Sequence, residues 1–199
     1  MKKLNKHEPA DLINSLQQFH ELTPEIVRYF QQKTQTFRCV RGEKLLNAGE
    51  ICNDIYFIKQ GVVRGFILDG EKDITTWITA ENELVTSIYS LDQQIPALEN
   101  IETVEDCVLV AMKSKDLQQL YETFPEFNIT GRKLLQQYYR DAERRAYIIR
   151  HANATTKYEL FLDYYPHLSN RIPLKYVASF LGMTFETLSR VRKKLTITA

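Results

Sequence analysis

Pro173-Leu174-Lys175-Tyr176-Val177-Ala178-Ser179-Phe180-Leu181-Gly182-Met183-Thr184-Phe185-Glu186-Thr187-Leu188-Ser189-Arg190-Val191-Arg192-Lys193-Lys194-Leu195 is the stretch on which the reading of this chain turns. Val177, Leu181, Leu188, Val191 and Leu195 recur at helical spacing and give two short helices one buried stripe each. Ala178 supplies the small side chain that two closely packed helices need. Gly182 falls where the first helix must stop, a position that often requires positive φ. Thr184 then caps the second helix by accepting from an early backbone N–H. With the stripes inward, Phe185, Glu186, Ser189, Arg190 and Lys193 share the outer face. This is the pattern of a helix-turn-helix that puts side chains into a DNA major groove. Arg190 suits O6 and N7 of a guanine, and Glu186 suits a cytosine N4. The plainer reading of the same residues is a helical hairpin with a solvated charged face.

Charge is distributed as that pattern asks. Of 199 residues, 26 are Lys or Arg and 25 Asp or Glu, a net +1. Residues 127–199 carry +8 and residues 1–126 carry −7. An acidic body with a basic C-terminal third fits a polyanion binder with a separate non-DNA domain. No apolar run approaches the roughly 18 residues of a membrane span, and the basic start leads into no signal-like stretch. Cys39, Cys52 and Cys107 are scattered without a CxxC pair and suit a reducing interior, so a cytoplasmic protein with no membrane partner is expected.

Working back along the chain, residues 9–34 read as one or two helices, with Thr23-Pro24-Glu25 a good start for the second. Five of the seven glycines lie between 42 and 70, interleaved with β-rich runs at 55–58, 62–67 and 74–78. Asp69-Gly70 marks a hairpin. A further strand is expected over 104–112, alternating as Val108, Val110 and Met112. These short strands suggest a closed antiparallel structure such as a jelly roll. Ser114 is read as the cap of a short helix that Pro125 ends. The longest proline-free helical stretch runs from Phe127 to Ala152, its apolar stripe being Leu135, Tyr138 or Tyr139, Ala142, Ala146 and Ile149, with Tyr138 preferred. That stripe favours pairing with a second copy over packing on the chain's own β domain. Another helix is expected over 155–165.

The fold class expected is α+β: N-terminal helices and an antiparallel, jelly-roll-like β roll over 1–126, a dimerisation helix over 127–152, and a helix-turn-helix domain over 153–199. With four residues after Leu195, no C-terminal β wing is expected.

This order, together with Arg41-Gly42-Glu43-Lys44-Leu45-Leu46, Asp54 through Gly61 and Glu186-Thr187-Leu188-Ser189-Arg190, resembles the Crp/Fnr family of bacterial transcription regulators over nearly the whole chain. The resemblance implies a cyclic-nucleotide-binding-type β roll, a parallel dimer seam on the long helix, and a palindromic operator with half-sites related to TTGA. It implies base contacts from Glu186, Ser189 and Arg190. Arg171, Lys175, Thr184, Thr187, Lys193 and Lys194 are the expected backbone contacts, which position without reading sequence. Phe185 leaves the outer base of the half-site open. Double-stranded DNA and a second copy are the implied partners, with RNA polymerase and an unknown small-molecule effector as further candidates.

The resemblance stops at the ligand. Members that bind cyclic AMP hold its phosphate with an Arg-Ser pair, because a buried phosphate wants a bidentate guanidinium. Here residues 73–112 contain no Lys or Arg, and Ala97-Leu98-Glu99 stands where that pair belongs. Cyclic AMP is therefore not expected to bind. No cofactor or metal is expected either: no histidine lies between His20 and His151, and the N-terminal region lacks clustered cysteines. Thr86, Ser87, Tyr89 and Ser90 are candidates to line a site for an uncharged effector. No nucleophile–base set points to an enzyme. The alternative reading is a degenerate β roll that dimerises and binds a protein or small ligand without DNA.

Overall fold

In the computed structural model, which describes residues 2–3 and 9–198, Thr23 accepts a hydrogen bond from the Ile26 N–H at 3.4 Å, and Pro24 takes the first helical position. The proline lacks only an N–H that would have had no partner there. This starts α2 (Pro24–Lys33), which follows β1 (Lys2–Lys3) and α1 (Ala10–Gln17). The roll is then built from β2 (Thr34–Cys39), β3 (Lys44–Leu46), β4 (Asp54–Gln60), β5 (Val63–Asp69), β6 (Lys72–Thr79), β7 (Leu84–Val85), the short α3 (Ile88–Gln93), β8 (Asn100–Thr103) and β9 (Cys107–Lys113). Five helices complete the chain: α4 (Ser114–Thr123), α5 (Phe127–Arg150), α6 (Ala154–Tyr164), α7 (Leu174–Phe180) and α8 (Phe185–Thr198). Among the described residues no helix is long and apolar enough to cross a membrane.

Every strand pairing is antiparallel, in two sheets ordered β1-β2-β9-β4-β7 and β3-β8-β5-β6. Between them lies one core cluster, with Ile58 and Leu109 from the first sheet against Val63 and Ile101 from the second. The first sheet is covered on its other side as well. Phe57, Val110 and Met112 pack with Leu16, Ile26, Phe30, Leu120 and Phe127 of the flanking helices.

Three expectations along this stretch are corrected. The strand expected over 104–112 is β9, which begins only at Cys107, residues 104–106 being the link from β8. Within β9 the alternation is lost, because side chains on both faces are buried. Ser114 is the first residue of α4 rather than its cap, which is Lys113.

Candidate nucleic-acid interface

Helix α7 ends in a motif that its sequence dictates. Gly182 adopts φ +62°, Met183 N–H reaches the Ala178 carbonyl at 3.0 Å, and Gly182 N–H reaches Ser179 at 3.0 Å. This pair of bonds satisfies the last carbonyls of the helix and reverses the chain. Thr184 Oγ1 then accepts from Thr187 N–H at 3.2 Å and opens α8. Val177, Ala178, Leu181, Leu188 and Val191 are buried in one cluster, so the stripe read from the sequence is the packed face.

The opposite face of α8 is open. Phe185, Glu186, Ser189, Arg190, Lys193 and Lys194 are all exposed, as are Lys175 and Thr184, while Thr187 is half-buried. Glu186 sits at the helix start, where its own backbone N–H and the Thr184 side chain hold its carboxyl below the ordinary range. The Arg190 guanidinium leans back along the helix, 3.4 Å from the Glu186 carbonyl and from Thr187 Oγ1. These long contacts leave it free to reach outward.

Helix α7 also docks on the β roll. Strand β6 is an edge strand, with backbone groups that need partners. Ser179 Oγ supplies both: it accepts from Thr75 N–H at 2.9 Å and donates to the Asp73 carbonyl at 3.0 Å. Beside it, Arg64 is 1% exposed, bonded to Glu102 at 2.8 Å and to Asp73 and Thr75, with its guanidinium 3.6 Å from the centre of the Tyr176 ring. Sequence reasoning passed over Arg64. The signal was a lone charge inside the β-rich run Val62-Val63-Arg64-Gly65-Phe66.

Arg171 is a correction. Its guanidinium bonds both oxygens of Glu81 and one of Glu105, both on the roll. In this arrangement it is spent on carboxylates and is not offered to a phosphate.

A cleft of about 1960 Å³ opens between β6, α3 and α5. Thr86, Ser87 and Tyr89 line it, but Ser90 does not. Ser90 is fully buried behind the wall, accepting from Cys52 N–H and donating to the Ile95 carbonyl. The Thr86 hydroxyl is likewise committed to the Asp54 carbonyl at 3.0 Å.

On α5 the expected stripe is shifted by one residue at one position. Leu135, Tyr139, Ala142 and Ile149 are exposed and Ala146 half-buried, a spacing of 4, 3, 4 and 3 along one face. Tyr138 instead turns to the roll, where its hydroxyl accepts from Leu84 N–H at 2.6 Å and donates to Glu83 at 2.9 Å. Burial pushes the Glu83 carboxyl upward against that bond.

Residues 37–124 match the cyclic nucleotide-binding domain family. A CooA mutant from Carboxydothermus hydrogenoformans superposes with TM-score 0.70 at 16% identity, over 98% of this chain and 87% of that one. CLP, the c-di-GMP responsive global regulator of Xanthomonas campestris, gives TM-score 0.66 at 17% identity, over 88% and 93%. The Catabolite Activator Protein of Thermus thermophilus gives 0.54 at 22% identity, over 92% and 87%. No curated protein matches the sequence. The chain has the Crp/Fnr fold.

Within that fold, the segment expected to hold a cyclic phosphate has other work. Ala97 is buried, with its N–H on the Glu50 carbonyl and its own carbonyl on Gly49 N–H, both at 2.8 Å. Leu98 is exposed, and Glu99 accepts from the indole N–H of Trp77 at 2.8 Å. The Crp/Fnr fold is kept here, and in this chain the segment 97–99 carries an acid and no basic residue.

Proposed function

We propose that this chain is a sequence-specific DNA-binding transcription regulator that works as a homodimer on a palindromic operator and does not use cyclic AMP. The observation that carries the reading is the open outer face of α8. Glu186, Ser189 and Arg190 stand exposed on a helix whose other face is buried and whose start is capped. Lys175, Lys193 and Lys194, with Thr184 and Thr187, flank that face as phosphate contacts. Leu135, Tyr139, Ala142, Ala146 and Ile149 form the dimer seam, since an exposed apolar stripe at this spacing is what two long helices bury against each other. Two copies so joined present two recognition helices about 34 Å apart, one turn of the duplex.

The reading that cyclic AMP is not used is supported by charge. Its phosphate would meet Glu99 on a wall formed by residues 73–112, which hold no Lys or Arg.

Selection from a random duplex pool, with no ligand added, tests the reading. A palindrome with TTGA-like half-sites is expected. Recovery of no preferred sequence, together with binding that does not weaken as salt rises, would sink it.

A further inference from the structure

Three exposed apolar side chains, Ile88, Tyr89 and Leu98, gather on the rim of the cleft between β6, α3 and α5. Below them the wall holds Trp77, whose ring lies flat on Gly65; a Cβ there would come within 2.2 Å of the indole. The Trp77 N–H fixes one oxygen of Glu99. Among the described residues the other oxygen accepts no hydrogen bond, and no lysine or arginine pairs with the carboxylate. This is a half-buried negative charge on an apolar wall, beside the ring that best receives a cation.

The cations that border the cleft are engaged or distant from that wall. Arg171 is held by Glu81 and Glu105, Arg144 by Asp141 and over the Tyr164 ring, and Arg145 by Tyr165. Lys115 stands exposed on α4 rather than on the strand wall. The cleft, at about 1960 Å³, exceeds the ~300–1,000 Å³ that a small ligand fills.

We propose that this cleft binds an organic cation with an aromatic or aliphatic body, its charge seated against Glu99 and Trp77 and its body against Tyr89 and Leu98. The inference stands apart from DNA reading, because the residues it invokes, Trp77, Tyr89, Leu98 and Glu99, all belong to the roll.

Trp77 is the chain's single tryptophan, so its fluorescence reports occupancy of the site directly. Tetraphenylphosphonium and tetraphenylborate are matched probes, equal in shape and opposite in charge. Titration of the full chain should show saturable change with the phosphonium, at least about tenfold tighter than with the borate, a difference of about 1.4 kcal/mol. Glu99→Gln keeps an acceptor for the indole and should erase most of that preference. Leu98→Arg, at an exposed rim position, should reverse it. Equal binding of the two ions, no binding of either, or a preference that survives both substitutions overturns the proposal. A cleft that admits the phosphonium only in a monomeric Ala142→Glu variant would belong to a second copy's helix, and that result overturns it too.

Discussion

Arg171 grips both oxygens of Glu81, at 2.7 and 2.9 Å, and thereby ties the segment leading into α7 to the β roll. The guanidinium, helped by the Gly61 N–H, holds the Glu81 carboxyl down at about 2 against an ordinary 4.5. A depressed carboxylate adds stability that is present above its unfolded value and lost as pH falls through its folded one. The joint should therefore loosen between pH 4.5 and about 2. Glu81→Gln should remove that acid dependence and cost about 1–2 kcal/mol at neutral pH, a figure reduced because the pair is still partly open to water. Acid titration followed by circular dichroism checks both. An unchanged acid limb in Glu81→Gln would show that the pair does not hold the joint.

Arg190→Ala should cost about 1–3 kcal/mol of operator binding and relax preference at one base pair. Lys193→Ala should weaken all sequences alike and lower the salt slope by about 1. Binding titrations on matched and single-substituted operators separate the two. Equal losses of sequence preference in both variants would mean that α8 does not enter the groove as drawn.

Ala142→Glu places a charge in the middle of the α5 stripe and should split the dimer, read by sedimentation. Tyr138→Phe should leave the dimer whole while costing about 1–3 kcal/mol of stability, because the Leu84 N–H and Glu83 both lose a partner. A dimer that survives Ala142→Glu and dissociates with Tyr138→Phe would place the seam elsewhere.

Gly182→Ala should lower stability by about 1–2 kcal/mol, the cost of a left-handed backbone for a side chain, although nothing but the Lys157 amine lies within 4 Å of a Cβ there. Thermal melting measures it. A neutral result would mean that the turn can be rebuilt without positive φ.

Local chemistry is what the amino-acid order made legible. Gly182, Thr184 and the stripe through Leu188 say where α7 stops, how α8 starts and which face is inside, since each acts within a turn of itself. Burial on two sides is a tertiary fact. It erased the alternation expected in β9, where helices cover what a two-layer roll would leave open. One-residue phase was beyond the pattern as well. Tyr138 and Tyr139 are the same residue type side by side, and only the Glu83 and Leu84 groups opposite decide which turns inward. Arg171 was misread for a similar reason: a basic residue near a helix-turn-helix suits a phosphate, and its carboxylate partners lie 66 and 90 residues away in the chain.

The cluster that encloses Leu181, Leu188 and Phe161 also takes in Val62, Ile78 and Val104 of the roll, so the C-terminal helices and the roll are solidified into one body. Melting should then be a single cooperative event, with no plateau in which one half survives the other. Modularity suffers accordingly. A graft of residues 153–199 onto a foreign partner would carry an uncovered apolar scar, and so would the roll left behind. Residue changes at Val62 or Ile78, on the roll, would be felt in how steadily α8 is held. Lineages of this chain are expected to change these two parts in step.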